Sequence, residues 1–222
     1  MKPIEPVYKQ IRNELNPINE GIQIIAVTKQ VGVDRTREAI EAGITHLGEN
    51  RPEGFLQKYE SLKDGAKWHF IGNLQSRKVK DIINEIDYLH SLDRMSLAKE
   101  IQKRAEFPVN CFVQVNVSKE DSKSGILPEE TLDFVKSLEK YDKINIIGLM
   151  TMAPNVEDEE VLRSVFRDLK NLQLEVAEQN WLHAPCTECS MGMSNDYLVA
   201  AQEGATFVRI GTALIGSESE AE

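Results

Sequence analysis

The sequence predicts one closed (βα)8 barrel, and three observations carry that prediction. Strand-type and helix-type segments alternate strictly along the chain. Eight segments are of the strand type, the number that closes a parallel sheet into a barrel. Segments 22–29 and 109–117 are almost continuously apolar, as strands covered on both faces must be. The 222 residues, 41% hydrophobic and 28% charged, suffice for one large buried core. An open doubly wound sheet is the alternative arrangement of the same alternation.

The elements follow in order. A helix over Pro6–Leu15 precedes the first strand, Ile22–Lys29. The helix Asp34–Ala42 has Asp34 placed to cap it and Gly43 placed to stop it in a left-handed turn. Next come strand His46–Arg51, helix Pro52–Ser61, strand Lys67–Asn73, helix Ser76–Asn84, strand Ile86–Asp93 and helix Arg94–Ala105. Strand Val109–Val117 leads to helix Pro128–Lys140, where Pro128 suits the first helical position and Glu129 and Glu130 favour the helix dipole. Strand Ile144–Met152 is followed by helix Glu157–Asn180, in which Leu162, Phe166, Leu169, Leu172 and Val176 form one apolar face. The acidic run Glu157-Asp-Glu-Glu160 reads as the start of that helix. Strand Ala184–Met191, helix Ser194–Glu203 with Ser194 as its cap, and strand Thr206–Ile215 complete the ring. The whole of 1–222 reads as one domain, with 217–222 a fraying acidic tail.

A net charge of −10 opposes general nucleic-acid binding, which needs clustered positive charge, and opposes anionic membranes. No stretch reaches the ~18 apolar residues that span a bilayer. The N-terminus lacks the pattern of a signal peptide. Three cysteines cannot form a disulfide framework, and the chain reads as cytoplasmic.

Active sites of such barrels sit at the C-terminal ends of the strands. Those ends supply Lys29, Asn50, Asn73, Ser91, Asp93, Asn116, Thr151, Ser190 and Arg209, followed by Gly211 and Thr212. Lys29 shares a face with Ile25 and Val27 by alternation. If that face points inward, the amine is partly buried, which lowers its pKa and makes it nucleophilic toward aldehydes. A lysine snorkelling at a strand end is the plainer alternative. Ser190-Met-Gly-Met-Ser194, a strand running through a glycine turn toward a helix, suits a phosphate. Val208-Arg-Ile-Gly-Thr212 places Phe207, Arg209 and Gly211 on one face. These two segments occupy the loops after strands seven and eight, where barrels often bind phosphate.

Eight segments occur in this order: Ala26-Val-Thr-Lys29, Gly48-Glu-Asn-Arg51, His69-Phe-Ile-Gly-Asn-Leu-Gln75, Gln114-Val-Asn-Val117, Ser122-Lys-Ser-Gly125, Gly148-Leu-Met-Thr-Met-Ala-Pro154, Ser190–Ser194 and Arg209-Ile-Gly-Thr212. Together they resemble the pyridoxal phosphate homeostasis proteins (YggS/PROSC family) over residues 5 to 216. The resemblance implies a fold-type III, TIM-type barrel like the N-terminal domain of alanine racemase, with an extra N-terminal helix. It implies pyridoxal 5′-phosphate held as a Schiff base on Lys29, with Asn50 among the cofactor contacts. It further implies Ser190, Met191, Gly192, Ser194, Gly211 and Thr212 around the phosphate and Arg209 facing the pyridine nitrogen. Arg77, where many members have asparagine, and the ending Gly216-Ser-Glu-Ser-Glu-Ala-Glu222 depart from the family pattern.

Two functions are compatible with that resemblance. One is a carrier that stores, buffers or delivers pyridoxal phosphate, without catalytic residues or metal and with apo-enzymes as recipients. The other is a racemase-like enzyme. Racemisation needs two acid/base groups, and the tyrosine-bearing second domain of alanine racemases has no counterpart after the eighth strand. Arginine only donates, so a pyridine nitrogen facing Arg209 stays unprotonated and the ring is a weaker electron sink. The carrier is therefore expected, as a monomer. A barrel enzyme for phosphorylated sugars or indoles is a third reading.

Other motifs read as structure. His183, Cys186 and Cys189 fall short of four zinc ligands, and their CxxC enters a strand where redox motifs open helices. His69 reads as a hydrogen-bonded core residue. Asp121 and Lys123 belong to a mobile loop over the barrel mouth.

Overall fold

The computed structural model describes residues 2–217. Eight parallel strands close in sequence order: β1 (Gln23–Val27), β2 (His46–Glu49), β3 (Lys67–Phe70), β4 (Tyr88–Leu92), β5 (Val109–Gln114), β6 (Ile144–Met150), β7 (Glu188–Ser190) and β8 (Phe207–Ile210). Closure is made by β8 on β1, with Gln23 opposite Phe207 and Ala26 opposite Ile210. The expected barrel is therefore the observed one.

The surrounding helices are α1 (Ile4–Leu15), α2 (Val33–Glu41), α3 (Pro52–Leu62), α4 (Val79–Ile82), α5 (Met95–Arg104), α6 (Thr131–Ser137), α7 (Glu159–Ala177), α8 (Tyr197–Gln202) and α9 (Thr212–Ile215). Among the described residues none is long and apolar enough to cross a membrane. The main core lies between strands and helices, and the anticipated apolar face of α7 is buried in it. Asp158 starts α7, its side chain accepting from the backbone N–H groups of Glu160 and Val161. Inside the barrel, Ile25, Phe112, Met150 and Phe207 pack in a second buried cluster. Alternation along strands covered on both faces produces these two cores.

Several boundaries differ from expectation. The final strand was anticipated to run to Ile215, but β8 stops at Ile210. Gly211 breaks the extended run there, and α9 begins at Thr212. Asp34 does not cap α2: the cap position is Gly32, and Asp34 lies in the first turn. Ser194 does not cap α8 either, because Asp196 holds that position. The segment 76–84 forms a 3-10 turn over Ser76–Lys78 followed by the single turn of α4. Gly43, at φ +90°, ends the second helical segment as expected. Ser217 is buried, so the anticipated tail does not begin there. The rest of it, 218–222, lies outside the described residues.

Candidate functional site

A cavity of about 470 Å³ opens at the C-terminal ends of the strands. Six of the anticipated residues line it: Lys29, Asn50, Ser194, Arg209, Gly211 and Thr212. Asn73, another strand end, joins them. Ser190, Met191 and Gly192 are buried and do not line it. Ser190 points its hydroxyl at Arg209 and His90. Ser91, Asp93, Asn116 and Thr151 also stay outside the lining.

Lys29 corrects one expectation. Its strand ends at Val27, and Lys29 is exposed in the following loop. The partial burial expected of an inward-facing strand position is therefore absent. Its ammonium has no hydrogen-bond or ion-pair partner among the described residues. The peptide before it is fixed instead. Lys58 Nζ donates to the Thr28 carbonyl at 2.6 Å and to Glu49 Oε1 at 2.5 Å, and Thr28 Oγ1 donates to the same carboxylate oxygen at 2.5 Å. Both charges are almost completely buried. Removing one partner from such a pair strands the other and costs about 3–5 kcal/mol, so this cluster is a firm anchor for β1 where it delivers Lys29 to the cavity rim.

Arg209 forms part of the cavity floor. It is 4% exposed, and its guanidinium donates to Ser190 Oγ at 2.6 Å and to the Thr151 carbonyl at 2.9 Å. Its remaining N–H groups have no acceptor among the described residues. Burial pushes its pKa down to about 10, partly offset by the nearby Asp196 carboxylate, so it is a cation at neutral pH. Asp196 was not anticipated. It accepts from the Met193 N–H, tying the 193–196 turn together, and burial raises its pKa. Gly192, at φ +88°, starts that turn, and an added Cβ would lie 2.6 Å from the Ala200 Cβ. The turn thus presents Ser194 beside Gly211 and Thr212. Because α8 is a short helix that starts at Tyr197, three residues after Ser194, the donors available here are this turn and the hydroxyls rather than a helix end.

The loop after β5 supplies Ser124 to the wall, while Asp121 is exposed. Lys123 reaches across to the Met152 carbonyl at 3.4 Å. Arg77 is exposed and bonded to Gln75. Cys186 and Cys189 are buried, and burial pushes each thiol up to about 12. Burial thus disfavours the thiolate form that metal binding and disulfide exchange require.

Comparison with known proteins follows this geometry. The family described as alanine racemase, N-terminal domain, matches residues 4–219. A pyridoxal phosphate homeostasis protein from Aquifex aeolicus is 41% identical over 198 residues, covering 87% of this chain and 86% of the relative. The chain belongs to the pyridoxal phosphate homeostasis protein family. Within the family, PipY of Synechococcus elongatus, solved with PLP bound, matches with a TM-score of 0.84 and 30% identity, over 96% of this chain and 100% of PipY. Alanine racemase from Corynebacterium glutamicum, at 13% identity and a TM-score of 0.72 over 95% of this chain and 60% of its own, shares the fold. The family resemblance carried by the sequence motifs is thereby borne out.

Proposed function

We propose that this family member holds pyridoxal 5′-phosphate as a Schiff base on Lys29 and serves its storage or delivery without catalysing amino-acid chemistry. One observation carries the reading: an unpartnered amine stands at the rim of a cavity whose floor is a buried cation with free N–H groups. The residues fit the group. Lys29 supplies the amine for its aldehyde. Ser194, Gly211 and Thr212 supply hydroxyls and backbone for an anionic end, and Gly211 presents its backbone with no side chain, where an added Cβ would lie in contact with Val27 at 3.6 Å. Arg209 donates without accepting, which suits an unprotonated ring nitrogen. When bound, the cofactor supplies an aldehyde and an electron-withdrawing ring.

Lys29, Asp196 and Arg209 are the titratable residues lining the cavity. Arg209 keeps its proton, and Asp196 is held against the Met193 N–H. Lys29 is therefore the single well-placed acid/base, whereas racemisation needs one on each face of the α-carbon. An exposed Lys29 would also leave a group held there within reach of water and of amines from outside, as release to recipient apo-enzymes requires.

The test is an absorbance spectrum of the loaded protein before and after borohydride, with peptide mapping. Absorbance at roughly 410–430 nm, a reduced adduct on Lys29 and its loss in Lys29→Ala are expected. An adduct on another lysine overturns the site. Stereospecific α-deuterium exchange into L-alanine that disappears in Lys29→Ala overturns the carrier.

A further inference from the structure

Three of the four histidines in the chain lie in one row inside the barrel. His46 Nδ1 is 2.8 Å from His69 Nε2, and His69 Nδ1 is 2.8 Å from His90 Nε2. His90 Nδ1 is 2.9 Å from Ser190 Oγ, which also accepts from Arg209 Nη1 at 2.6 Å. The row begins at the half-buried His46, in a bowl of about 480 Å³ at the N-terminal ends of the strands that Gln23, Tyr88 and Glu188 also line. It ends at the floor of the upper cavity. Stacking on Tyr88 and Phe112, at 4.3 and 4.2 Å between ring centroids, holds His69 and His90 in plane.

The protons in this row can be placed by elimination. Arginine only donates, and a neutral imidazole has one N–H and one bare nitrogen. The Ser190 hydroxyl proton has one acceptor within reach among the described residues, His90 Nδ1. His90 therefore carries its proton on Nε2, aimed at His69 Nδ1. His69 in turn carries its proton on Nε2, aimed at His46 Nδ1. His46 is left with its own N–H at Nε2, the ring nitrogen outside the row. The reverse order would leave the Ser190 proton without an acceptor. Burial holds His69 and His90 well below the usual histidine pKa and lowers His46 as well, so all three are neutral at pH 7.

We propose that His46, His69, His90 and Ser190 form a one-directional hydrogen-bond row that seats the Arg209 guanidinium while leaving its positive charge available to the ligand above. Every dipole in the row turns its negative end toward Arg209. A carboxylate in place of Ser190 would grip the guanidinium directly but cancel its charge. A lone serine would leave the hydroxyl free to rotate. The four are positioning residues, since none lines the upper cavity. Their effect on bound pyridoxal phosphate rests on the function proposed above; the proton order does not.

The test is nitrogen-15 NMR of the imidazoles in the full chain at pH 7, with no ligand added. Nε2–H tautomers at His46, His69 and His90 are expected. His90→Leu should release His69 and His46 to mixed tautomers. His90→Gln, whose carbonyl can accept from Ser190 and whose amide can donate to His69, should keep the order. An Nδ1–H on His69 or His90 in the wild type, or tautomers unmoved by His90→Leu, overturns the row. In a second arm, pyridoxal phosphate affinity should fall roughly tenfold in His90→Leu, as for one lost charge-assisted hydrogen bond, and stay within about twofold in His90→Gln. Equal affinity in wild type and His90→Leu overturns the seating role. No binding by the wild type overturns the proposed function instead, and the tautomer measurement then decides the row on its own.

Discussion

Ser194 and Thr212 meet at the cavity from different loops, so each is expected to contribute affinity without deciding which ligand enters. Ser194→Ala or Thr212→Ala should weaken pyridoxal phosphate binding by roughly 1–3 kcal/mol, the cost of leaving a charged acceptor one donor short. Titrations with pyridoxal and its phosphate check this: the variants should lose affinity for the phosphate and none for the bare aldehyde. At this scale the sequence was legible where a residue sits in a motif. Lys29, Asn50, Arg209, Gly211 and Thr212 reach the cavity as anticipated. It was illegible where tertiary register alone brings groups together. His46, His69 and His90 stand on three successive strands with no local pattern linking them, and only strand pairing aligns them. Ser190, expected beside a phosphate, serves the inner end of that row. Asp196 was hidden because its importance lies in burial beneath a turn.

Among the elements, the 192–196 turn is the most exacting. Gly192 combines a positive φ with a neighbour too close for any side chain, so Gly192→Ala should destabilise the fold by roughly 1–3 kcal/mol. It should also weaken ligand binding, because Ser194 is carried on the same turn. A urea melt and a titration on one sample would reveal both losses; a variant as stable as the wild type would mean that α8 can shift at no cost. Element type was readable along most of the chain, since apolar runs and helical spacing differ in period; the exception is Thr212–Ile215, a helix where the last strand was expected to continue. Element ends were less so. The polar residues after a strand can continue it or leave it, and at Lys29 and Gly211 the chain leaves earlier than the pattern suggested. The barrel needs only the paired core of each strand, and the residues beyond are released to build the site.

For the molecule as a whole, the buried histidines give stability a definite pH dependence. Burial lowers the pKa of His69 and His90 in the folded state, so their contribution is complete above the unfolded value near 6.5 and is lost as pH falls. Stability should therefore fall between pH 6.5 and 5.5. Urea midpoints across that range should fall in the wild type and flatten in a double variant, His69→Gln with His90→Gln; parallel profiles would show that other groups set the slope. The closed barrel has no edge strand to recruit a neighbour, and light scattering is expected to give a mass near 25.1 kDa. A stable dimer at micromolar concentration would contradict this.

Barrel closure by β8 on β1 joins residues such as Gln23 and Phe207, which the ribosome makes far apart in time. Until β8 emerges, β1 has an open edge, and Arg209, Gly211 and Thr212 do not yet exist beside Lys29. Nascent chains thus present the Lys29 amine without the cavity floor and wall that Arg209, Gly211 and Thr212 complete. Ligand cannot template the early folding of this protein, and capture begins only once synthesis has passed the strand that completes the ring. Such long-range closure makes folding slow, and through that interval the sheet keeps its open edge.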